Sequence, residues 1–487
     1  MVTLLKPLRM LNRKASPDDT PSSPTTKLPA LPKAPPPVAK TKVKAKTASP
    51  DVTDDWPTDT IDDLTLTELS FTTHSGPGYT YNPKEKMSDE ISPHFTYNGE
   101  SFKLEGEQPV LMKKIFEWLF TNPSHRKPFM RLAGYAGTGK TSCIAYLINE
   151  GQNFFPSYMQ KLSPVICTFT WKAALVLQSR GVPAVSIHSI FYKPVKVGDK
   201  TVFERRDPHE IRTSYSMIII DEASMVDFKM RQDIEVIGLP VLYVGDSGQL
   251  PAISPHPEDA TFMEDAELRL ETIRRQALDS PIIRLSIDIR NGKRIPYGKY
   301  GPGVWKISEE EATDDLLLKT DQVICGKNTT RSRFNTLIRE LKGFDPAAMP
   351  SKGEKIIGLS NLNDRGMYNG QFWYSDEDYT EFDIAASSDL TMNLADEKGE
   401  IVKQRCLFPQ DNFYKAAASK EQASHRAREK GLYQVDFGYA ITAHKSQGSA
   451  FDKPIVIEEW LGNKDFHKKW LYTCVTRAVK KLIIVSN

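Results

Sequence analysis

From about residue 105 onward the chain alternates short, wholly apolar runs with longer stretches whose apolar residues recur at helical spacing. EGEQPVLMKKIFEWLF carries the helical pattern, and FMRLAG after it reads as a buried strand running into a glycine-rich turn. PVICTF, SMIIID and PVLYVGD continue as short apolar runs suited to a parallel sheet covered on both faces. A second series follows in QVICG, KIIGL, PIVIEE and KLIIVS, with helical stretches such as TTRSRFNTLIREL and KKWLYTCVTRAVK between them. The pattern predicts an α/β protein of two successive sheets, and no internal repeat is visible.

Two segments interrupt the alternation. YKPVKVGDKTVFERR, within about 190–206, reads as a hairpin turning at Gly198-Asp199. Between about Gly370 and Gly431 lies a polar, strand-rich insert followed by the charged helical piece KEQASHRAREKG. Ahead of the alternation, TYNGESFKL has the form of a short hairpin with Asn-Gly at its turn. The rest of 61–104 carries no assignable pattern.

Composition changes the picture mainly at the N-terminus. Residues 1–50 hold ten prolines and ten Lys or Arg against Asp18 and Asp19, and residues 51–63 then hold six Asp and no basic residue. With so little apolar surface to offset the entropy of ordering, residues 1–60 are expected to be a disordered Pro/Lys-rich tail followed by an acidic linker. The tail is a solvated leader or, alternatively, a basic arm for nucleic acid or a partner. The five cysteines lack paired spacing, which argues against a disulfide framework or zinc site and fits a reducing compartment. No apolar run approaches membrane length, so a soluble, intracellular protein with no membrane partner is expected.

The chemistry begins at GYAGTGKT, 134–141, which meets the phosphate-loop pattern between a strand and a helix. Amides around Gly134, Gly137, Thr138 and Gly139 would face phosphate oxygens, Lys140 would reach the β and γ phosphates, and Thr141 would hold Mg²⁺. IIIDEAS, 218–224, ends a hydrophobic strand in adjacent carboxylates. Such a pair alone is usually a solvated cap. After a phosphate loop it places Asp221 toward Mg²⁺ and Glu222 toward the attacking water, so the two motifs together mean nucleotide hydrolysis. Gln249, in VGDSGQLPAI, is a candidate γ-phosphate sensor; Arg275, in RRQ, and Arg477, in TRA, are candidate cations closing from a second domain. YAITAHKSQGSAFD offers Thr442, His444 and Lys445 to a phosphate backbone, and CTFTWKAALVL with SIHSIFY offers Thr170, Lys172 and His188.

Read in order, these segments resemble superfamily 1B helicases of the RecD and Dda branch, from LEGEQ near 104–108 through TRAVKKLIIV. The resemblance implies two RecA-like domains, 105–275 and 276–487, and matches Gln108 to the family's adenine-reading glutamine. It aligns TWKAA, SIH, DEAS, GDSGQLP, RRQ, AITAHKSQGS and YTCVTRA in family order, with Arg275 and Arg477 at its finger positions. It makes the hairpin at about 190–206 a duplex-splitting pin, with Phe203 or Tyr192 placed to stack on a base. It makes 371–432 an SH3-like insert after GMYNGQFW. It also implies 5′-to-3′ movement on single-stranded DNA, with duplex junctions as substrate, single-strand-binding or replication proteins as partners, and a monomeric core. Trp171 departs from the small or polar residue usual in its motif. No nuclease carboxylate cluster or relaxase-like histidine cluster is present. The compact size and odd leader suit a bacterial, bacteriophage-encoded setting. An RNA helicase of superfamily 1 would share every nucleotide motif. A packaging motor or a switching ATPase fits less well, because the C-terminus holds strand-binding and arginine segments rather than a nuclease.

Overall fold

The computed structural model describes residues 91–154, 163–197, 200–274, 278–360, 367, 369–380, 383–384, 387–413, 424–425, 427 and 430–486. The basic tail, the acidic stretch, Gly198-Asp199, Arg275 and most of KEQASHRAREKG lie outside the described residues. The first elements are strands β1 (His94–Tyr97) and β2 (Glu100–Lys103), antiparallel and joined at Asn98-Gly99. Both turn residues have positive φ, 50° and 80°, the backbone that a two-residue hairpin demands and that Asn-Gly supplies at least cost.

Strands β3 (Phe129–Gly134), β4 (Pro164–Thr168) and β5 (Ala184–Ser186) come next, then the antiparallel hairpin β6 (Tyr192–Val197) and β7 (Lys200–Arg205). Strands β8 (Met217–Asp221), β9 (Val241–Gly245) and β10 (Leu268–Leu270) complete the first lobe. Its sheet runs β10-β3-β9-β8-β4-β5, with every neighbouring pair parallel. MIIID and VLYVG are buried at all five positions each, as central parallel strands must be when both faces are covered. Helices α1 (Gln108–Phe120) and α2 (Lys140–Phe154) pack Met112, Ile115 and Ile144 onto one face. Helix α3 (Trp171–Ser179) starts at Thr170, whose hydroxyl accepts from the Ala173 amide at 3.2 Å. The β1-β2 hairpin lies on α2, where Tyr146 donates to the Ser92 carbonyl and Asn149 to that of Thr96.

The second lobe contains β11 (Gly298–Gly301), β12 (Val304–Ser308), β13 (Gln322–Cys325), β14 (Lys355–Gly358), β15 (Phe372–Ser375), β16 (Asp389–Ala395), β17 (Ile401–Pro409), β18 (Val435–Phe437), β19 (Ala440–Thr442), β20 (Pro454–Ile457) and β21 (Leu482–Ser486). Its main sheet runs β11-β12-β21-β20-β13-β19, parallel except for the edge pair β11-β12. Helices α4 (Pro281–Arg290), α5 (Asn328–Leu341) and α6 (Lys464–Val475) cover it, with Leu285 and Ile289 sharing a core with Trp470 and Leu471.

One strand differs from its sequence reading. KIIGL does not join the second parallel sheet. It forms β14 of a five-stranded antiparallel sheet, β17-β16-β15-β14-β18, pairing Ile356 with both Trp373 and Phe437. A four-residue apolar run looks the same in either sheet, and only its distant partners decide. That sheet therefore extends on both sides of 371–432. Asn335 fixes the return to the parallel sheet: its side chain donates to the Phe437 carbonyl at 3.1 Å and accepts from the Ala440 amide at 2.8 Å.

A buried ion pair secures the entry to β14. Arg339 and Glu354 are 1% and 0% exposed, joined at 2.8 and 2.9 Å, and Arg339 also donates to the Pro346, Ala348 and Met349 carbonyls. Removing one partner leaves the other charge buried and unpaired, at a cost of about 3–5 kcal/mol. Arg339→Ala is therefore expected to lower the unfolding free energy, read from denaturant titration, by that amount; a change under about 1 kcal/mol contradicts this account.

Candidate nucleotide site and interlobe cleft

The loop between β3 and α2 is shaped by its glycines. Gly137 and Gly139 have φ of 82° and 86°, and a Cβ on Gly139 would lie 2.4 Å from the Gln108 Nε2. A Cβ on Gly134 would lie 2.7 Å from the Thr138 Oγ1, which donates to the Tyr135 carbonyl at 2.8 Å. Lys140 folds over the loop, its ammonium donating to the Gly134 and Tyr135 carbonyls at 2.6 and 3.3 Å. Gln108 enters from α1 and donates to the Thr138 carbonyl at 2.9 Å. The result is a backbone cradle with a helix N-terminus and an ammonium at its mouth, which fits a phosphate chain.

Asp221 and Glu222 stand at the end of β8, beside that cradle. Burial, then the neighbouring Glu222, push the Asp221 pKa up to about 6, while Lys140 and Arg180 pull against them. Glu222 adopts the left-handed backbone at φ 55°, unusual for a carboxylate residue, and its Oε2 is buried without a hydrogen-bond partner. The Thr141 hydroxyl accepts from Arg180 at 3.5 Å. Hydroxyl and carboxylate oxygens are the donors that Mg²⁺ prefers, and a buried Asp221 beside a half-buried Glu222 fits such a cation.

The loop after β9 connects this site to the second lobe. Ser224 exchanges hydrogen bonds with the backbone of Asp246, clipping the ends of β8 and β9 together. Gln249 donates to Asp246 at 3.4 Å and leaves its Oε1 buried without a partner. From α6, the Tyr472 hydroxyl donates to Asp246 Oδ2 at 2.8 Å and accepts from the Ala136 amide at 3.0 Å. The Leu250 amide donates to the Thr473 hydroxyl at 2.9 Å, and Gln447 donates to the Leu250 carbonyl at 2.9 Å. Arg290, from α4, places its guanidinium 3.6 Å from the centre of the Tyr135 ring. One lobe thus carries the phosphate cradle, and the other grips the loop beside it.

The sequence singled out two arginines, Arg275 and Arg477. Arg275 lies outside the described residues. Arg477 is 6% exposed and turned into its own lobe, donating to the Thr473 and Ser449 carbonyls and the Thr476 hydroxyl. Arg274, Arg180, Arg290 and Tyr472 are the residues at the site that sequence reading passed over. Arg274 and Tyr472 each had a signal, as the neighbour of Arg275 in RRQ and as the first residue of YTCVTRA.

Of the strand-binding candidates, Thr170 and Lys172 lie against the second lobe. Lys172 rests on the Phe372 and Phe451 rings at 4.3 and 5.0 Å, and Lys355 meets Phe372 at 4.4 Å. Burial, then Lys355, pull the Lys172 pKa down to about 7. A Cβ on Gly448 would lie 2.9 Å from that of Ala173 and 3.2 Å from the Thr170 Oγ1, so the AHKSQGS and TWKAA segments abut. Thr442 caps its helix by accepting from the Lys445 amide, and the Lys445 ammonium donates to Asn369. Burial lowers the His444 pKa. His188 sits among Phe169, Tyr192 and Phe203, and burial lowers its pKa too. Tyr192 donates to Asp233, while Phe203, on β7, is 40% exposed.

Comparison with known proteins agrees with this layout. The family model described as an AAA domain matches residues 122–300, and that described as a UvrD-like helicase C-terminal domain matches 437–485. An uncharacterized protein of Methanocaldococcus jannaschii is 25% identical over 73% of this chain and 36% of its own length. The ATP-dependent RecD2 DNA helicase of Deinococcus radiodurans is 22% identical over 71% of this chain and 45% of its own. The chain therefore spans less than half the length of these two relatives. Among solved structures, a Bacteroides Pif1 helicase in complex with ADP-AlF3 and single-stranded DNA is 19% identical, with a TM-score of 0.43, over 79% of this chain and 93% of that one. The first model covers most of the first lobe and the start of the second, and the second model covers the C-terminal strands and helix of the second lobe.

Proposed function

We propose that the chain is an ATP-dependent DNA helicase that moves 5′ to 3′ on single-stranded DNA and opens duplex at a junction. The observation that carries this reading is the grip of Tyr472, Thr473 and Gln447 on the 246–250 loop, because it couples the nucleotide site to a second lobe. A nucleotide switch needs the cradle alone; a motor needs a second body held to it. When bound, the magnesium nucleotide supplies the phosphoanhydride whose cleavage drives the cycle. Lys140 would exchange its two backbone carbonyls for phosphate oxygens, and Thr141 with Asp221 would hold the cation. Glu222 Oε2 accepts the proton of the attacking water, and Gln249 relays loss of the terminal phosphate through Asp246 to Tyr472. In this reading the 105–275 and 276–487 lobes are the two moving bodies, with Arg275 or Arg477 completing the site on closure. Thr170, Lys172 and His188 on one lobe, and Thr442, His444 and Lys445 on the other, hold the strand, released in turn as Lys172 leaves Phe372. The β6-β7 hairpin acts as the pin, its exposed Phe203 meeting the junction, and 371–432 serves as the SH3-like insert. No helix among the described residues is long and apolar enough to cross a membrane. A monomeric, intracellular motor working beside replication or single-strand-binding proteins completes the reading.

Hydrolysis by the full chain, alone and with single-stranded DNA or RNA, followed by unwinding of forks with a 5′ or a 3′ overhang, tests it. Expected are strong stimulation by DNA, unwinding from the 5′ overhang only, and loss of all turnover in Lys140→Ala. Turnover indifferent to both nucleic acids contradicts the motor reading, and preferential stimulation and unwinding on RNA contradicts DNA as the track.

Coupling has its own test. Tyr472→Phe removes one hydroxyl that bridges the lobes and leaves the ring in place. The DNA-stimulated rate is expected to fall about tenfold, the factor for roughly 1.4 kcal/mol. An unchanged rate rules out the Tyr472 relay.

A further inference from the structure

Gln108 has a fixed number of hydrogen-bonding positions, and the protein already uses most of them. Its Oε1 accepts from the Glu105 amide at 3.0 Å and from the Arg274 guanidinium at 3.1 Å. Its Nε2 donates to the Thr138 carbonyl at 2.9 Å. The amide cannot be turned over, because the Glu105 N–H needs an acceptor and the Thr138 carbonyl needs a donor. A carboxamide offers two lone pairs and two N–H groups, so one N–H remains and no lone pair does. Reading adenine with both ends of a glutamine requires a lone pair for the 6-amino group as well as an N–H for N7.

Arg274 is built into this place. Its amide donates to the Gly137 carbonyl at 3.2 Å, and its Cζ would lie 2.9 Å from a Cβ on Gly139. Two residues earlier, Thr272 is fastened to the Glu107 carboxylate through its amide and hydroxyl. Arg274 Nε is buried without a hydrogen-bond partner. Gln108 is 2% exposed and Arg274 is half-buried, so a base that reaches the amide also reaches the guanidinium bonded to it. The remaining Nη donors of such a group match O6 and N7 of guanine, and match adenine only at N7.

We infer that Arg274 makes this a purine-permissive site that turns over GTP as well as ATP. The inference rests on the nucleotide-hydrolysis reading and concerns only which base is admitted. Pyrimidine nucleotides, which lack N7, are poor substrates.

The test is steady-state hydrolysis by the full chain with saturating single-stranded DNA and each of the four ribonucleoside triphosphates. The expected kcat/KM values for ATP and GTP lie within about fivefold of each other, with CTP and UTP at least about tenfold lower. In Arg274→Ala, one lone pair of Gln108 is freed for an amino group, and the ATP-to-GTP ratio rises about tenfold, the scale of one charge-assisted hydrogen bond. A preference for ATP of about a hundredfold in the unaltered chain overturns the inference and leaves the motor reading intact; so does a ratio unmoved by Arg274→Ala. If no triphosphate is turned over, the motor reading fails. The base inference is then decided by binding of fluorescent methylanthraniloyl-ATP and -GTP to the unaltered chain: similar affinities support it, and a hundredfold gap in favour of ATP overturns it.

Discussion

The Tyr472 hydroxyl, held between the Ala136 amide and the Asp246 carboxylate, is the point at which the two halves of the molecule become one device. Asp246 is fully buried, and a buried carboxylate is tolerated only with hydrogen-bond donors around it. Two of its three donors, the Gly248 amide and the Gln249 amide group, come from its own loop. The third comes from the other lobe. Burial and Asp246 raise the Tyr472 pKa well above its ordinary value, so the group remains a hydroxyl donor at any working pH. Any event that repositions Gln249 or Asp246 must therefore be felt by α6, and any movement of α6 by the phosphate cradle.

The charges around the cradle make the same point from the other side. Asp221 and Glu222 are adjacent carboxylates in a buried setting, and Lys140 spends its ammonium on two carbonyls nearby. This arrangement is poorly satisfied as it stands and is well satisfied by a cation with a polyphosphate. The strain at Glu222, a left-handed residue with a buried, unpartnered oxygen, is of the kind tolerated where a reaction needs a preset group. Across the cleft, Lys172, which the sequence offered to a phosphate backbone, lies against the Phe372 and Phe451 rings.

What the sequence made legible was local. The phosphate loop, the DEAS strand end and the Asn-Gly hairpin each announce themselves within about ten residues, because glycine at positive φ and unbroken apolar runs are requirements of the backbone itself. Their order along the chain then carried the resemblance to superfamily 1B helicases. What stayed hidden was non-local. Arg274 touches Gln108 across 166 residues and Tyr472 touches Ala136 across 336. Neither pairing leaves a trace in spacing or composition. KIIGL went to the wrong sheet for the same reason, since a fully buried strand of four residues does not encode its partners. Arg477 shows the converse: a position matched by motif, whose side chain is committed to its own lobe.

The central claim is that nucleotide turnover moves one lobe against the other through this contact. All five cysteines are buried, so Val236→Cys and Val479→Cys, at positions 47% and 54% exposed on the first and second lobes, can carry a fluorescent donor and acceptor selectively. Energy transfer between them, followed through a single round of ATP hydrolysis on single-stranded DNA, reads the movement directly. The account predicts a change on ATP binding that reverses with phosphate release, and a flat signal throughout an otherwise normal turnover would contradict it.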